Sequence, residues 1–117
     1  MFLKDLPILG YTGEGYSTVL NSGDWRIGFI RHSARFDRNN FVNVERHLLT
    51  DEAFILLSGE ATLIFGDKDE KLPMEKEKVY NVPAGEWHHC WLSEDALVVV
   101  VEKKGTDDSN TEFRDKI

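Results

Sequence analysis

Short runs of β-branched and aromatic residues, broken at regular intervals by turn chemistry, set the pattern of this chain. The runs cover residues 25–32 (WRIGFIRH), 40–47 (NFVNVERH), 52–66 (EAFILLSGEATLIFG), 77–83 (EKVYNVP) and 96–103 (ALVVVVEK). Between and within them stand NSGD, SGE, GDKDE and PAGE, whose Gly, Asn, Asp and Pro favour turns. No segment carries apolar residues at helical spacing over an ordinary helix length. The expectation is an all-β sandwich or small barrel without internal repeats.

Side chains alternate across a strand, so the runs can be sorted by face. In EAFILL, Phe54 and Leu56 fall on one side while Ala53, Ile55 and Leu57 fall on the other, and LVVVV has no polar side at all. Apolar residues on both faces ask for cover on both. A barrel interior covers one face; the other needs a second layer, the N-terminal segment, or a second subunit, and the expectation here is a homodimer. A length of 117 residues suits one domain. We assign residues 1–104 to a single barrel that includes the N-terminal strands. Residues 105–117 (GTDDSNTEFRDKI) read as a polar tail, a loose end or an arm laid on the surface, with no chemistry assigned.

Composition narrows the setting. With 41% hydrophobic and 30% charged residues the chain has a soluble globular balance, and no apolar run nears the roughly 20 residues of a membrane-spanning helix. At the N-terminus, Asp5 and Pro7 interrupt what would be the apolar part of a signal peptide. A single cysteine, Cys90, leaves no intramolecular disulfide, which agrees with a reducing compartment, and the expected location is cytoplasmic. The net charge is −7, with 14 basic residues scattered among 21 acids. Phosphate binding needs clustered Lys and Arg, so neither a nucleic acid nor a membrane is expected as partner, and a small-molecule ligand is.

Chemistry gathers in two places. Glu45 and His47 are two residues apart at the end of one strand and share a face, and Glu52 opens the next strand in phase with Phe54 and Leu56. In NVPAGEWHHCW (residues 81–91) adjacent histidines point to opposite faces, so only one of His88 and His89 can enter a given pocket. Taken singly, each of these residues also reads as a surface acid, an exposed histidine or an ordinary turn. Together, two imidazoles and carboxylates on one face form the kind of site preferred by non-haem iron, and equally suit Zn, Mn or Ni.

ERHLLTDEAFILLSG and PAGEWH resemble the two motifs of the cupin superfamily: HxH, three or four residues, Glu, six residues, Gly; and Pro-x-Gly-x-x-His. Glu45, His47, Glu52 and Gly59 supply the first, Pro83, Gly85 and His88 the second. The resemblance spans residues 45–92, about half of the chain. It implies a double-stranded β-helix, or jelly-roll, barrel with a divalent metal held by Glu45, His47, Glu52 and His88. In this register His89, Trp87 and Trp91 face away from the metal, while Glu86 and Cys90 share the parity of His88. The chain departs from the family at four positions. Glu45 replaces the first histidine, Leu92 stands where Asn is usual, and Asn39 and Glu77 stand where each motif opens with Gly, Asn39 being the residue that tolerates left-handed geometry best. Glu45 is accordingly a candidate fourth ligand or, held off the metal, a candidate general base.

Two functions follow from the resemblance: a metal-dependent enzyme acting on a small polar metabolite, with dioxygenase, decarboxylase, isomerase and epimerase chemistry all known on this fold, or a metal-free barrel that binds a sugar or other metabolite. Arg26, Arg31, His32 and Arg35 are polar residues that could greet a ligand. Parity puts Arg26 and His32 on one face and Arg31 on the other, and solvated surface charge is their default reading.

Overall fold

The computed structural model describes residues 1–117 and contains ten strands. They are β1 (Gly15–Ser22), β2 (Trp25–Arg31), β3 (Asn43–His47), β4 (Glu52–Ser58), β5 (Ala61–Phe65), β6 (Glu70–Pro73), β7 (Val79–Val82), β8 (His88–Leu92), β9 (Leu97–Lys103) and β10 (Thr111–Asp115). The helical content is four single 3₁₀ turns, and no helix is long and apolar enough to cross a membrane. Two antiparallel five-stranded sheets form, in the orders β1-β2-β9-β4-β7 and β10-β3-β8-β5-β6.

The core lies between the sheets. Ile30, Phe54, Leu56, Val98 and Val100 of the first sheet meet Ala61, Leu63, Cys90 and Leu92 of the second, as the alternation along each strand requires. On the other face of the second sheet, Phe41, Val44 and Ile64 form a smaller cluster with Trp87 and Trp91. The other face of the first sheet is apolar as well: Ala53, Ile55, Val99 and Val101 are half-buried, and Leu57 and Val79 are 49% and 65% exposed. The N-terminal Phe2, Leu3 and Ile8 are themselves largely exposed.

The apolar run 52–66 divides into β4 and β5 at Gly59, whose φ is 70°. A Cβ there would lie 2.6 Å from the backbone of Ala96, so the turn needs glycine both for its conformation and for the close approach. Asn39 and Glu77 exchange the roles expected of them. Asn39 sits in a 3₁₀ turn with its N–H donated to the Asp37 carboxylate at 2.8 Å, whereas Glu77 takes the left-handed conformation, φ 66°. The strands that the sequence pattern does not announce, β1, β6 and β10, are all at sheet edges. An edge strand has one neighbour and need not be apolar on either face.

The polar C-terminal segment takes the form of such a strand. β10 pairs with β3 from Thr111↔His47 to Asp115↔Asn43. Buried Asp69 clasps its end, accepting hydrogen bonds from the Arg114 guanidinium at 2.8 Å and the Ile117 N–H at 2.7 Å.

Candidate metal centre

In an antiparallel ladder, residues directly opposite one another share a face and sit side by side. Across the first sheet one such row runs Arg26↔Glu102, Glu102↔Glu52 and Glu52↔Val82. Across the second runs Phe113↔Glu45 and Glu45↔His88, with Thr111↔His47 alongside. Register therefore carries Glu45, His47, Glu52 and His88 from three strands to one end of the barrel, where they line a cavity of about 410 Å³.

Glu52 is the centre of the group. Its carboxylate lies 2.8 Å from His47 Nε2 and 3.5 Å from His88 Nε2, and Glu45 lies 4.0 Å from His47 Nε2. The outward nitrogens are both tied down: His47 Nδ1 is 3.0 Å from the Thr111 hydroxyl and His88 Nδ1 is 3.0 Å from the Glu86 carbonyl. A carbonyl only accepts, so His88 Nδ1 carries a proton and the ring, when neutral, turns its Nε2 lone pair inward. That Nε2 is buried and makes no hydrogen bond. Imidazoles oriented by an outer partner, with their other nitrogens converging on a carboxylate, are the donor set that divalent transition metals take. The residues present fit such an ion.

The PAGE turn that delivers His88 is anchored from β3 and its following loop. The Gly85 N–H donates to the His47 carbonyl at 2.8 Å. The Ala84 N–H donates to Asp51 Oδ1 at 2.9 Å, and Asn81 Nδ2 donates to Asp51 Oδ2 at 3.1 Å.

Burial alone would raise the Glu52 carboxyl and lower both imidazoles. The charge attraction between them outweighs it, so Glu52 is held well below the usual carboxylate range and His47 and His88 are raised above theirs.

Sequence reasoning passed over a third carboxylate. Glu102 is buried, and its Oε1 accepts from Arg26 Nε at 3.0 Å, Arg26 Nη2 at 2.6 Å and the Tyr16 hydroxyl at 3.2 Å. Its Oε2 is buried with no donor at all. Burial, and then the facing Glu52, push the Glu102 carboxyl up to about 7. The alternation of Val98, Val100 and Glu102 was the available signal, since all three share the inward parity of β9. Tyr16 reaches Glu102 by lying over Gly28, where a Cβ would come within 2.4 Å of its ring. Two groups of potential ligands have atoms within 4.8 Å of one another: Glu45, His47 and His88; and His47, Glu52 and Glu102.

The remaining candidates fall outside this cluster, except Arg26, whose surface reading is overturned by its ion pair with Glu102. His89 is sandwiched between Phe36 and Phe41, nearly parallel to both, and its Nε2–H donates to the Arg35 carbonyl at 3.2 Å. Burial and the nearby Arg35 lower it to about 4, so it is a neutral core residue. Cys90 belongs to the core, with its thiol pushed up by burial. Trp87 packs under Arg46 and Arg114, and Trp91 under Arg38. Arg31 donates to the Tyr11 carbonyl, His32 pairs with Asp37 at 2.9 Å, and Arg35 stands at the cavity rim 3.9 Å from Glu45.

No family model and no curated protein matches the chain. Solved structures do. The nucleoside dehydratase Pac13 of Streptomyces, one structure of which contains uridine, superposes with a TM-score of 0.65 at 11% identity over 92% of this chain and 84% of that one. A cupin-2 domain protein of Shewanella frigidimarina gives 0.61 at 18% identity over 80% of this chain and 85% of that one. KdgF of Halomonas gives 0.60 at 16% identity, covering 88% and 91%. At these identities the likeness establishes the fold alone: the chain folds as a small cupin-type barrel.

Proposed function

We propose that the protein is a metal-dependent enzyme that moves a proton on a small, uncharged molecule bearing hydroxyl or carbonyl groups. The observation that carries this is the convergence of His47 and His88 Nε2 on Glu52 in the cavity lining, with the outer nitrogens tied. His47, Glu52 and His88 would hold the ion. A bound Zn, Fe, Mn or Ni ion supplies Lewis-acid polarisation of a substrate oxygen.

The chain's own residues supply the rest. The Glu45 side chain is 26% exposed at the mouth, with Arg35 at 3.9 Å and His47 at 4.0 Å. It can take a proton from a ligand seated below it, which favours isomerisation, epimerisation or elimination over oxygenation. The cavity lining includes Glu45, Glu52, Glu102, Asp107 and Asp108 against Arg26 and Arg35. An excess of carboxylates disfavours a phosphorylated ligand and suits a neutral sugar-like one, a preference in keeping with the uridine seen in the structurally similar Pac13.

Elemental analysis of protein purified without a metal-affinity tag, followed by Zn(II) titration, tests the metal. The expected result is about one ion per chain at saturation. A second reading rests on the 2.8 Å contact of His47 with Glu52, which closes the site on itself as an ion pair. If no divalent ion binds even in excess, that pair is a structural strut and the protein a metal-free binding barrel.

The proposal includes a homodimer formed through the outer face of the first sheet, where Leu57 and Val79 are exposed beside half-buried Ile55 and Val99. Light scattering should give twice the 13.4 kDa chain mass. A monomer at micromolar concentration would remove the dimer and leave the metal proposal untouched.

A further inference from the structure

We infer that Glu102 is a metal ligand, occupying the place that the motif resemblance gives to Glu45. The inference rests on the metal reading above and changes its donor set to His47, Glu52, His88 and Glu102. Two buried polar atoms at this end of the barrel lack any hydrogen-bond partner facing the cluster, His88 Nε2 and Glu102 Oε2. Both belong to side chains more than nine-tenths buried, at 2% and 6% exposure. An unpaired buried polar atom is costly, and such atoms are rare unless something outside the protein completes them.

Glu102 is also oriented as ligands usually are. Three hydrogen bonds from Arg26 and Tyr16 converge on Oε1 and fix the carboxylate, leaving Oε2 free. Its ligand atom lies within 4.8 Å of those of His47 and Glu52. Glu52 and Glu102 are directly opposed across β4 and β9, so two carboxylates face each other where only a cation or a shared proton can join them. Two neutral imidazoles and two carboxylates leave a divalent ion with no net charge, which suits a buried position. Glu45 has no such need. Its side chain is 26% exposed and has Arg35 beside it.

Zn(II) titration against a competing chelator on wild type, Glu102→Gln and Glu45→Gln separates the possibilities. Glu102→Gln is expected to weaken Zn(II) at least about tenfold, since disturbing even the outer partners of metal ligands costs that much, while Glu45→Gln stays within about threefold. Crystals of the wild type grown with Zn(II) should place the ion about 2.0–2.2 Å from a Glu102 oxygen, a readout independent of how the variants fold. Wild-type affinity in Glu102→Gln, or an ion bonded to Glu45 and remote from Glu102, would overturn the inference while the metal reading stands; the opposed acids would then share a proton. Failure of wild type to bind Zn(II) would sink both together.

Discussion

His88→Ala is expected to lower Zn(II) affinity by at least about a hundredfold, whereas His89→Ala keeps affinity within a few-fold and loses stability instead. The two residues are adjacent, yet strand alternation gives them unrelated surroundings. His88 presents a free Nε2 toward Glu52, with Nδ1 fixed on the Glu86 carbonyl. Its removal takes away a neutral donor for which no neighbour substitutes. His89 fills the gap between the Phe36 and Phe41 rings and holds the Arg35 carbonyl. Truncating it opens a cavity in a packed stack, at a cost of about 2–4 kcal/mol in unfolding free energy. Chelator competition and urea denaturation of the two variants read these effects separately. A His89→Ala protein that loses zinc while His88→Ala retains it would mean that β8 is out by one residue.

The metal-free protein should be most stable in mildly acidic solution and lose about 1–2 kcal/mol, or roughly 5–10 °C in Tm, as the pH rises from about 5.5 to about 8.5. His47 and His88 are raised above 6.5. Glu102 is raised from 4.5 to about 7. A group that holds its proton more tightly in the native state contributes fully below its unfolded value, and that contribution disappears as the pH passes through the folded one. All three groups therefore act in the same direction, Glu102 between pH 4.5 and about 7 and the two imidazoles above 6.5. Glu52 acts oppositely but elsewhere: its depressed carboxyl stabilises above 4.5, and that contribution is lost only as the pH falls through its lowered value. Zn(II) takes the deprotonated ligands and should flatten or reverse the decline. Thermal melts with EDTA and with Zn(II) across this range provide the check, and a metal-free protein that gains stability toward pH 8.5 would contradict the assignment.

What the residues disclose by themselves depends on how far apart in sequence their partners lie. Glu45, His47 and Glu52 stand close together at the facing ends of two consecutive strands, and His88 follows a turn whose Pro and Gly mark it, so strand parity together with the motif resemblance brings them to one interior. Glu102 needs β9 to be set between β2 and β4, a neighbour relation that joins residues 26, 102 and 52. No local pattern encodes it. Thr111 reaches His47 only because β10 adds to the edge of β3, and β10 is too polar to announce itself as a strand. The expected strands succeeded where both faces are apolar, as in β4 and β9, and the pattern was silent at three of the four sheet edges, β7 being the exception, because pairing rather than apolar pattern decides there. Glu77 takes the left-handed conformation that glycine adopts most easily, at the position where the resembled motif opens with Gly.

The second sheet has a seam. β3 and β8 are matched at a single pair, Glu45↔His88, whereas every other pair of neighbouring strands is matched over four residues or more. Few backbone bonds therefore join β10 and β3 to β8, β5 and β6, and side chains hold the seam instead: Arg114 to Asp69, and Val44 against Ile64. His47 stands on one side of it and His88 on the other. An ion held by both would act as a rivet across the seam, joining edges that the backbone ladder leaves almost unpaired.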